Sequence, residues 1–280
     1  MIYFWLILLI ALLLFIAFRR PKQNRAWCPE HSKTARVEIK GDDVKIYNFV
    51  RAKYKGPLDP EKVSHETFEF NLNQLKGLAI LLEEFPVKIG EFTFTPAHLF
   101  LSFELDDGRV FSISVAGRRL RNEKITFKRI LPHYKEIFYK VIDEKDTIVE
   151  RAYFEKDPIF VFPLEASKEQ IKKVFLDMAK KINKLDKRPE WFDTFSKNCT
   201  SEAVRHLRRA GFPFPKFSLR YIFTNSFEKL LFEKGFLEVK DESQIRNIYD
   251  LTEFIIKHKD DKNLSVKLRA ELNSRIAKLR

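Results

Sequence analysis

The sequence predicts an α+β domain of roughly 250 residues behind one N-terminal transmembrane helix. Three observations predict it. Residues Ile2–Phe18 form an uncharged apolar run. Two extended runs flank Asp106-Asp107-Gly108. Helical periodicities follow Ser167 and Asn198.

The apolar run, IYFWLILLIALLLFIAF, contains no proline. As a helix it spans about 25 Å, and a snorkelling Arg19 extends its reach toward the roughly 30 Å of a bilayer core. No basic segment precedes it and no small-residue cleavage motif follows, which predicts an uncleaved anchor. Arg19, Arg20, Lys22 and Arg25 follow the run, and by the positive-inside rule they favour a cytoplasmic domain.

Beyond the anchor, Arg36–Tyr54 alternates in places and predicts a hairpin around Gly41. Leu75–Phe85 is compatible with a buried strand or a short helix. Glu91–Ala116 carries the clearest pattern. Leu99, Leu101, Phe103 and Leu105 share one face of a strand, and His98, Phe100, Ser102 and Glu104 share the other. Asp106-Asp107-Gly108 makes a three-residue loop with Gly where a left-handed conformation is wanted. Pairing Leu105 with Arg109 then sets His98 opposite Ala116, with Ser114 diagonal to it on the same face.

A further sheet region is expected near Asp146–Arg151 and Pro158–Phe162. Ser167 and Gln170 form a capping box, and Ile171, Val174, Phe175, Met178 and Ile182 make the stripe of the helix that follows. Asn198 caps a second helix with Ala203, Val204, Leu207 and Ala210 on one side, stopped by Gly211. From about Glu242 the chain reads as helical and charged. Leu264–Arg280 is an amphipathic candidate, which leaves open packing on the domain, fraying, or lying on a membrane surface.

The chain carries 28 Phe and is 45% apolar, enough for a substantial core. Its net charge of +13 is spread along the sequence. With no zinc-finger spacing, helix-turn-helix signature or RNA-binding aromatic motif, nucleic acid is not an expected partner. Beside an anchor, anionic lipid head groups fit the charge best, while a plain solvated surface remains an equal explanation. The two cysteines, Cys28 and Cys199, offer neither a disulfide framework nor a metal cage, and no cofactor is indicated. One disulfide between them is left open. Cys28, in Arg-Ala-Trp-Cys, lacks the context of a lipidation site.

Cys199 directly follows the cap residue. There the free N–H groups and positive end of the helix stabilise a thiolate. Its neighbours Lys197, Asn198, Thr200 and Ser201 are polar, unlike those of most structural cysteines. His98, at the head of its strand, is the candidate base. His31 lies near the anchor, while His65, His133 and His258 sit among charges. His206 is about 10 Å along the axis of the Cys199 helix, too far for a hydrogen bond.

Five blocks extend this reading: Asn48-Phe-Val-Arg51, Ala97-His-Leu-Phe-Leu-Ser-Phe103, Ser112-Ile-Ser-Val-Ala-Gly-Arg118, Asp146-Thr-Ile-Val-Glu-Arg151 and Trp191-Phe-Asp-Thr-Phe-Ser-Lys-Asn-Cys-Thr200. In this order they resemble the Lnb N-terminal periplasmic domain family over roughly residues 26–235. The resemblance implies a circularly permuted papain-like fold, similar in logic to the lecithin retinol acyltransferase group. It divides the chain into an anchor over 1–20, a papain-like domain over 26–240 and a helical extension over 241–280. It also implies an inner-membrane protein with a periplasmic domain, against the charge rule. The implied activity is thiol-dependent N-acylation of the amino-terminal lipid-modified cysteine of lipoproteins. Lipidated proteins are then the acceptors and membrane lipids the other partner. Two positions depart from the family pattern: Ala116 stands where Glu is usual, and Phe192 where Tyr is frequent.

The expected mechanism makes Cys199 the nucleophile and His98 its base, acting by proton transfer or as a resting ion pair. Asn198 and backbone N–H groups at the helix start position the oxyanion. Ser114 is a candidate orienter of His98. Arg51, Arg118 and Arg151 are candidate anion or head-group contacts, each with a structural ion pair as the competing role. Two other functions fit the same residues. One is a cell-envelope thiol amidase or peptidase, and the other is an inactive binding module, suggested by Ala116.

Overall fold

The computed structural model describes residues 3–7, 19–89, 91–121, 123 and 134–279. Ten strands occur: β1 Arg36–Lys40, β2 Asp43–Gly56, β3 Asp59–Asn71, β4 Leu75–Glu84, β5 Val87–Ile89, β6 Phe92–Phe94, β7 Ala97–Leu105, β8 Val110–Gly117, β9 Ile137–Asp143 and β10 Ile159–Pro163. Among the described residues beyond the amino-terminal run, the α-helices are α1 Glu144–Val149, α2 Lys168–Lys187, α3 Cys199–Arg209, α4 Phe227–Glu233, α5 Gln244–Tyr249, α6 Thr252–Lys257 and α7 Leu264–Ala277. The architecture is mixed α+β, as expected.

Eight strands form one sheet in the order β1-β2-β9-β8-β7-β4-β10, with β3 on the free edge of β2. Pairing is antiparallel except for a single parallel contact, Val50 with Ile142. The strand alternative for Leu75–Phe85 holds. Its residues fill β4 between β7 and β10, where Ile80, Leu81 and Leu82 are fully buried. A strand covered on both faces has no reason to alternate, which is why its periodicity is mute. The hairpin at Gly41 is β1–β2, with Gly41 at φ +62°.

The β7–β8 hairpin has the expected loop and register. Leu105 N–H donates to Arg109 O at 2.9 Å, Gly108 takes φ +84°, and Phe100 pairs with Ser114. The extended run preceding it is broken at Pro96, so β6 and β7 are separate strands.

Helices cover both faces of the sheet. Phe103 and Phe111 meet Phe175 of α2 edge-on, and α3 packs on β7 and β8. On the other face Ser102 and Glu144 of α1 are hydrogen-bonded, and Arg269 of α7 pairs with Glu144. Asp146–Arg151, expected in a sheet, is helical: it ends α1 and enters a π-helical turn, Glu150–Glu155. Its β-branched residues suggested a strand. The cap decided otherwise, since Asp143 accepts the N–H of Lys145 and turns the chain as soon as β9 ends, burying Ile148.

The caps at Ser167 and Asn198 are both reciprocal boxes. Leu264, Leu268, Leu272 and Ile276 of α7 are buried in the main core, so the amphipathic C-terminal helix packs on the domain. Among the described residues no helix is long and apolar enough to cross a membrane. The expected span lies mostly outside them, with only residues 3–7 described, as helix.

Candidate active site

Asn198 sets the start of α3. Its side-chain oxygen accepts the N–H of Ser201 at 2.8 Å, and its amide donates to Thr194 O at 2.7 Å and Tyr221 O at 2.8 Å. With oxygen and nitrogen both engaged, Asn198 acts as cap and clamp. The donors left for an oxyanion at this position are backbone N–H groups.

Cys199 follows as the first helical residue and is 8% exposed. Its sulfur lies 3.7 Å from Thr200 Oγ1, and Thr200 in turn is 2.8 Å from Thr224 Oγ1. Burial raises the thiol pKa. Opposing it are hydrogen bonds from the backbone of Leu99, from the Thr200 side chain and from the backbone of Thr200 and Cys199. The Leu99 contact depends on a gap in the sheet. The β7–β8 ladder ends at Phe100–Ser114, whereas β7 continues along β4 as far as Ala97–Glu84. The thiol meets β7 at the end that β8 has left.

His98, the neighbour of Leu99, belongs to the other face. Its Nε2 is 2.8 Å from Ser114 Oγ, and its ring stacks on Phe100 at 5.8 Å. Enclosure by protein pushes its pKa down to about 3, and Arg151 and Lys140 push the same way. Among the described residues no hydrogen bond joins His98 to Cys199. The thiol is thus hydrogen-bonded at the Leu99 backbone and the imidazole at Ser114, and burial works against the charged form of each.

The three candidate arginines are engaged internally. Arg51 pairs with Asp143 at 2.6 Å and Asp146 at 3.3 Å. Arg118 donates to His31 O and Gln23 and stacks over Trp27. Arg151 pairs with Glu83 and Glu155, both at 3.1 Å.

The last of these pairs belongs to a cluster that sequence reasoning missed. Glu83 lies directly across β4–β7 from His98. Burial pushes Glu83 up to about 8 against the pull of Arg151, with the neighbouring Glu155 and Asp157 adding to the rise, and burial raises Asp157 as well. Oxygens of Glu83, Glu155 and Asp157 lie within 4.8 Å of one another, close enough to hold a cation. Arg151 already supplies positive charge there, with Glu83 and Glu155 as its ion-pair partners, so the donor set is built around a guanidinium. The available signal was the adjacent acids Glu83 and Glu84 closing an otherwise apolar run. Nothing in that run states which residue Glu83 would face.

Cys28 is also buried, 3.4 Å from Arg119 Nε and unpaired with Cys199. Burial raises its pKa, with Arg119 acting against it.

A helix-borne thiol beside a histidine-bearing β-hairpin defines a class of cysteine-centred α+β domains. Within it, the chain belongs to the Lnb N-terminal periplasmic domain family, whose profile matches residues 84–225, half of the chain. The match takes in His98, Ser114, Arg118, Arg151, Asn198 and Cys199, and leaves out Arg51 and Glu83. Neither curated proteins nor solved structures gave a match.

Proposed function

We propose that the chain is a membrane-anchored thiol acyltransferase of the cell envelope, with Cys199 as nucleophile and His98 as base. The observation that carries this reading is the thiol at the first position of α3, hydrogen-bonded by backbone at Cys199, Thr200 and Leu99. The same groups suit the oxyanion of an acyl-transfer intermediate. Membership of a periplasmic domain family supports a domain outside the inner membrane, held by the apolar run 2–18. The permuted papain-like arrangement belongs to the same reading, since the histidine strand precedes the cysteine helix in sequence.

In this mechanism the His98 ring leaves Ser114 and reaches the thiol when substrate enters. Sulfur attacks an ester carbonyl of a membrane lipid while the imidazole takes the thiol proton. The C–O bond breaks and the alcohol leaves with that proton. The free α-amine of a lipid-modified amino-terminal cysteine then attacks the thioester, loses its proton to His98, and the thiol is restored. The decisive experiment is mass spectrometry of lipoproteins from cells carrying the wild-type chain or Cys199→Ala. N-acylated lipoproteins only with the wild type support the proposal, and identical spectra sink it.

A second reading, an inactive binding module, draws on the buried thiol with raised pKa and the base pushed down to about 3. Labelling of Cys199 by a thiol-directed acyl probe separates the two.

A further inference from the structure

Most large apolar side chains of the described residues are buried, but the rim of the Cys199 helix is an exception. Phe195 is 59% exposed, Phe217 82% and Leu219 73%. All three line one groove of about 520 Å³, walled on its other side by α3. An apolar patch with a charged border is the usual form of a surface that has a partner.

The charges around it have one sign. Arg205, Arg208 and Lys216 line the same groove. Arg205 is bridged to Glu202, whereas Arg208 and Lys216 have no carboxylate partner among the described residues. Lys216 instead lies 5.6 Å from the ring centre of Phe217.

A second, independent observation concerns the end of the apolar run. The chain leaves the apolar run at Arg19, whose carbonyl accepts the indole N–H of Trp191 at 3.3 Å and whose guanidinium lies 5.5 Å from the Trp191 ring centre. Trp191 is four residues before Phe195. That length of chain spans at most about 14 Å. The anchor's exit and the aromatic groove therefore lie along the same edge of the domain.

We infer that the face formed by Phe195, Phe217 and Leu219, with Arg208 and Lys216, rests on an anionic phospholipid bilayer. The inference rests on reading the chain as membrane-anchored, and not on the chemistry of Cys199. Aromatic and aliphatic tips enter the boundary between head groups and tails, and the cations sit among lipid phosphates. Each basic residue near an anionic surface contributes about a fivefold preference over a neutral one. Ser196 and Ser201 line the groove as well, while Cys199, about 200° around the helix from Ser201, is turned toward Leu99 of the sheet.

The test uses the full chain in vesicles containing tail-brominated lipid. Phe217→Trp reports contact, Leu58→Trp on the distant β2–β3 turn is the control, and the unsubstituted protein supplies the background of its own tryptophans. With phosphatidylglycerol present, bromolipid is expected to quench the Trp at 217 several-fold more than the control. Arg208→Glu with Lys216→Glu, or about 0.5 M salt, should remove most of that excess. Circular dichroism melting checks that each variant folds. Cys199→Ala should keep the full quenching, which separates failure of this surface from failure of the acyl chemistry. Quenching no greater than at the control position overturns the inference. So does quenching that is equal in pure phosphatidylcholine and indifferent to both charge reversals. Equal quenching by brominated fatty acid in detergent, without a bilayer, would instead assign the groove to a single acyl chain and overturn it too.

Discussion

His98 Nε2 lies 2.8 Å from Ser114 Oγ, on the strand next to its own and two residues short of the position facing it across the hairpin. The hydroxyl holds the ring on the α1 side of the sheet, while the thiol waits at Leu99. Ser114 thus fixes the position of the His98 ring. Ser114→Ala should free the ring and change the rate of Cys199 acylation by an activated ester about tenfold, with the effect absent in a His98→Ala background. An unchanged rate would show that the hydrogen bond has no part in the reaction.

Cys199→Ala should abolish acylation while costing no more than about 1–2 kcal/mol of stability, because the lost sulfur is small and the cap at Asn198 stays intact. Rate and melting temperature are measured on the same preparation. Cys28→Ser should leave acylation intact, since Cys28 is unbonded to Cys199.

Ala116 keeps some accessible surface and lies two residues past Ser114, where the β7–β8 ladder has ended and β8 continues along β9. Ala116→Glu should draw the imidazole from Ser114, favour its protonated form and speed acylation roughly tenfold. The gain must vanish with His98→Ala. A melting curve accompanies the rate, because an unpaired carboxylate here could cost more than it returns.

Glu83 gives the fold a specific pH dependence. Its folded pKa, about 8, is raised above the ordinary carboxylate value by burial. The folded state therefore binds more protons than the unfolded state between about pH 4.5 and 8. Stability from this group is complete below that window and is lost as pH rises through it. Glu83→Gln mimics the protonated form. It should flatten the fall in denaturant midpoint across the window by on the order of 2 kcal/mol. Parallel wild-type and variant curves would show that Glu83 does not hold the proton.

The pair of Arg269 and Glu144 is shielded from water, with Glu144 fully buried. Arg269→Ala strands a buried charge and should cost about 3–5 kcal/mol in chemical denaturation. Arg269→Met with Glu144→Met should recover most of that loss. If the double variant is as unstable as the single, the residues matter by packing rather than as a pair.

The hairpin and both capped helices were legible because their signals are local. Loop length and Gly108 fix the register of β7 on β8, and Asn198 with Ser201 fixes where α3 begins. Asp146–Arg151 was misread because β-branched composition outweighed the Asp143 cap, which decides the local conformation. The partners of His98 divide in the same way. Ser114 followed from hairpin arithmetic, whereas Glu83 and Arg151 arrive through the pairing of β4 with β7 and the packing of a π-helical turn. Those contacts are set by tertiary closure and leave no periodic trace. The contact of Cys199 with the Leu99 backbone was equally out of reach, since it depends on how α3 packs on β7.

The Glu144–Arg269 contact joins positions 125 residues apart. Every strand of the sheet is synthesised before α7. During translation the face bearing Ser102 and Glu144 is therefore complete but uncovered, with an acid awaiting its counter-ion. Closure of that face is then a late event, set by the arrival of α7 after the sheet has formed.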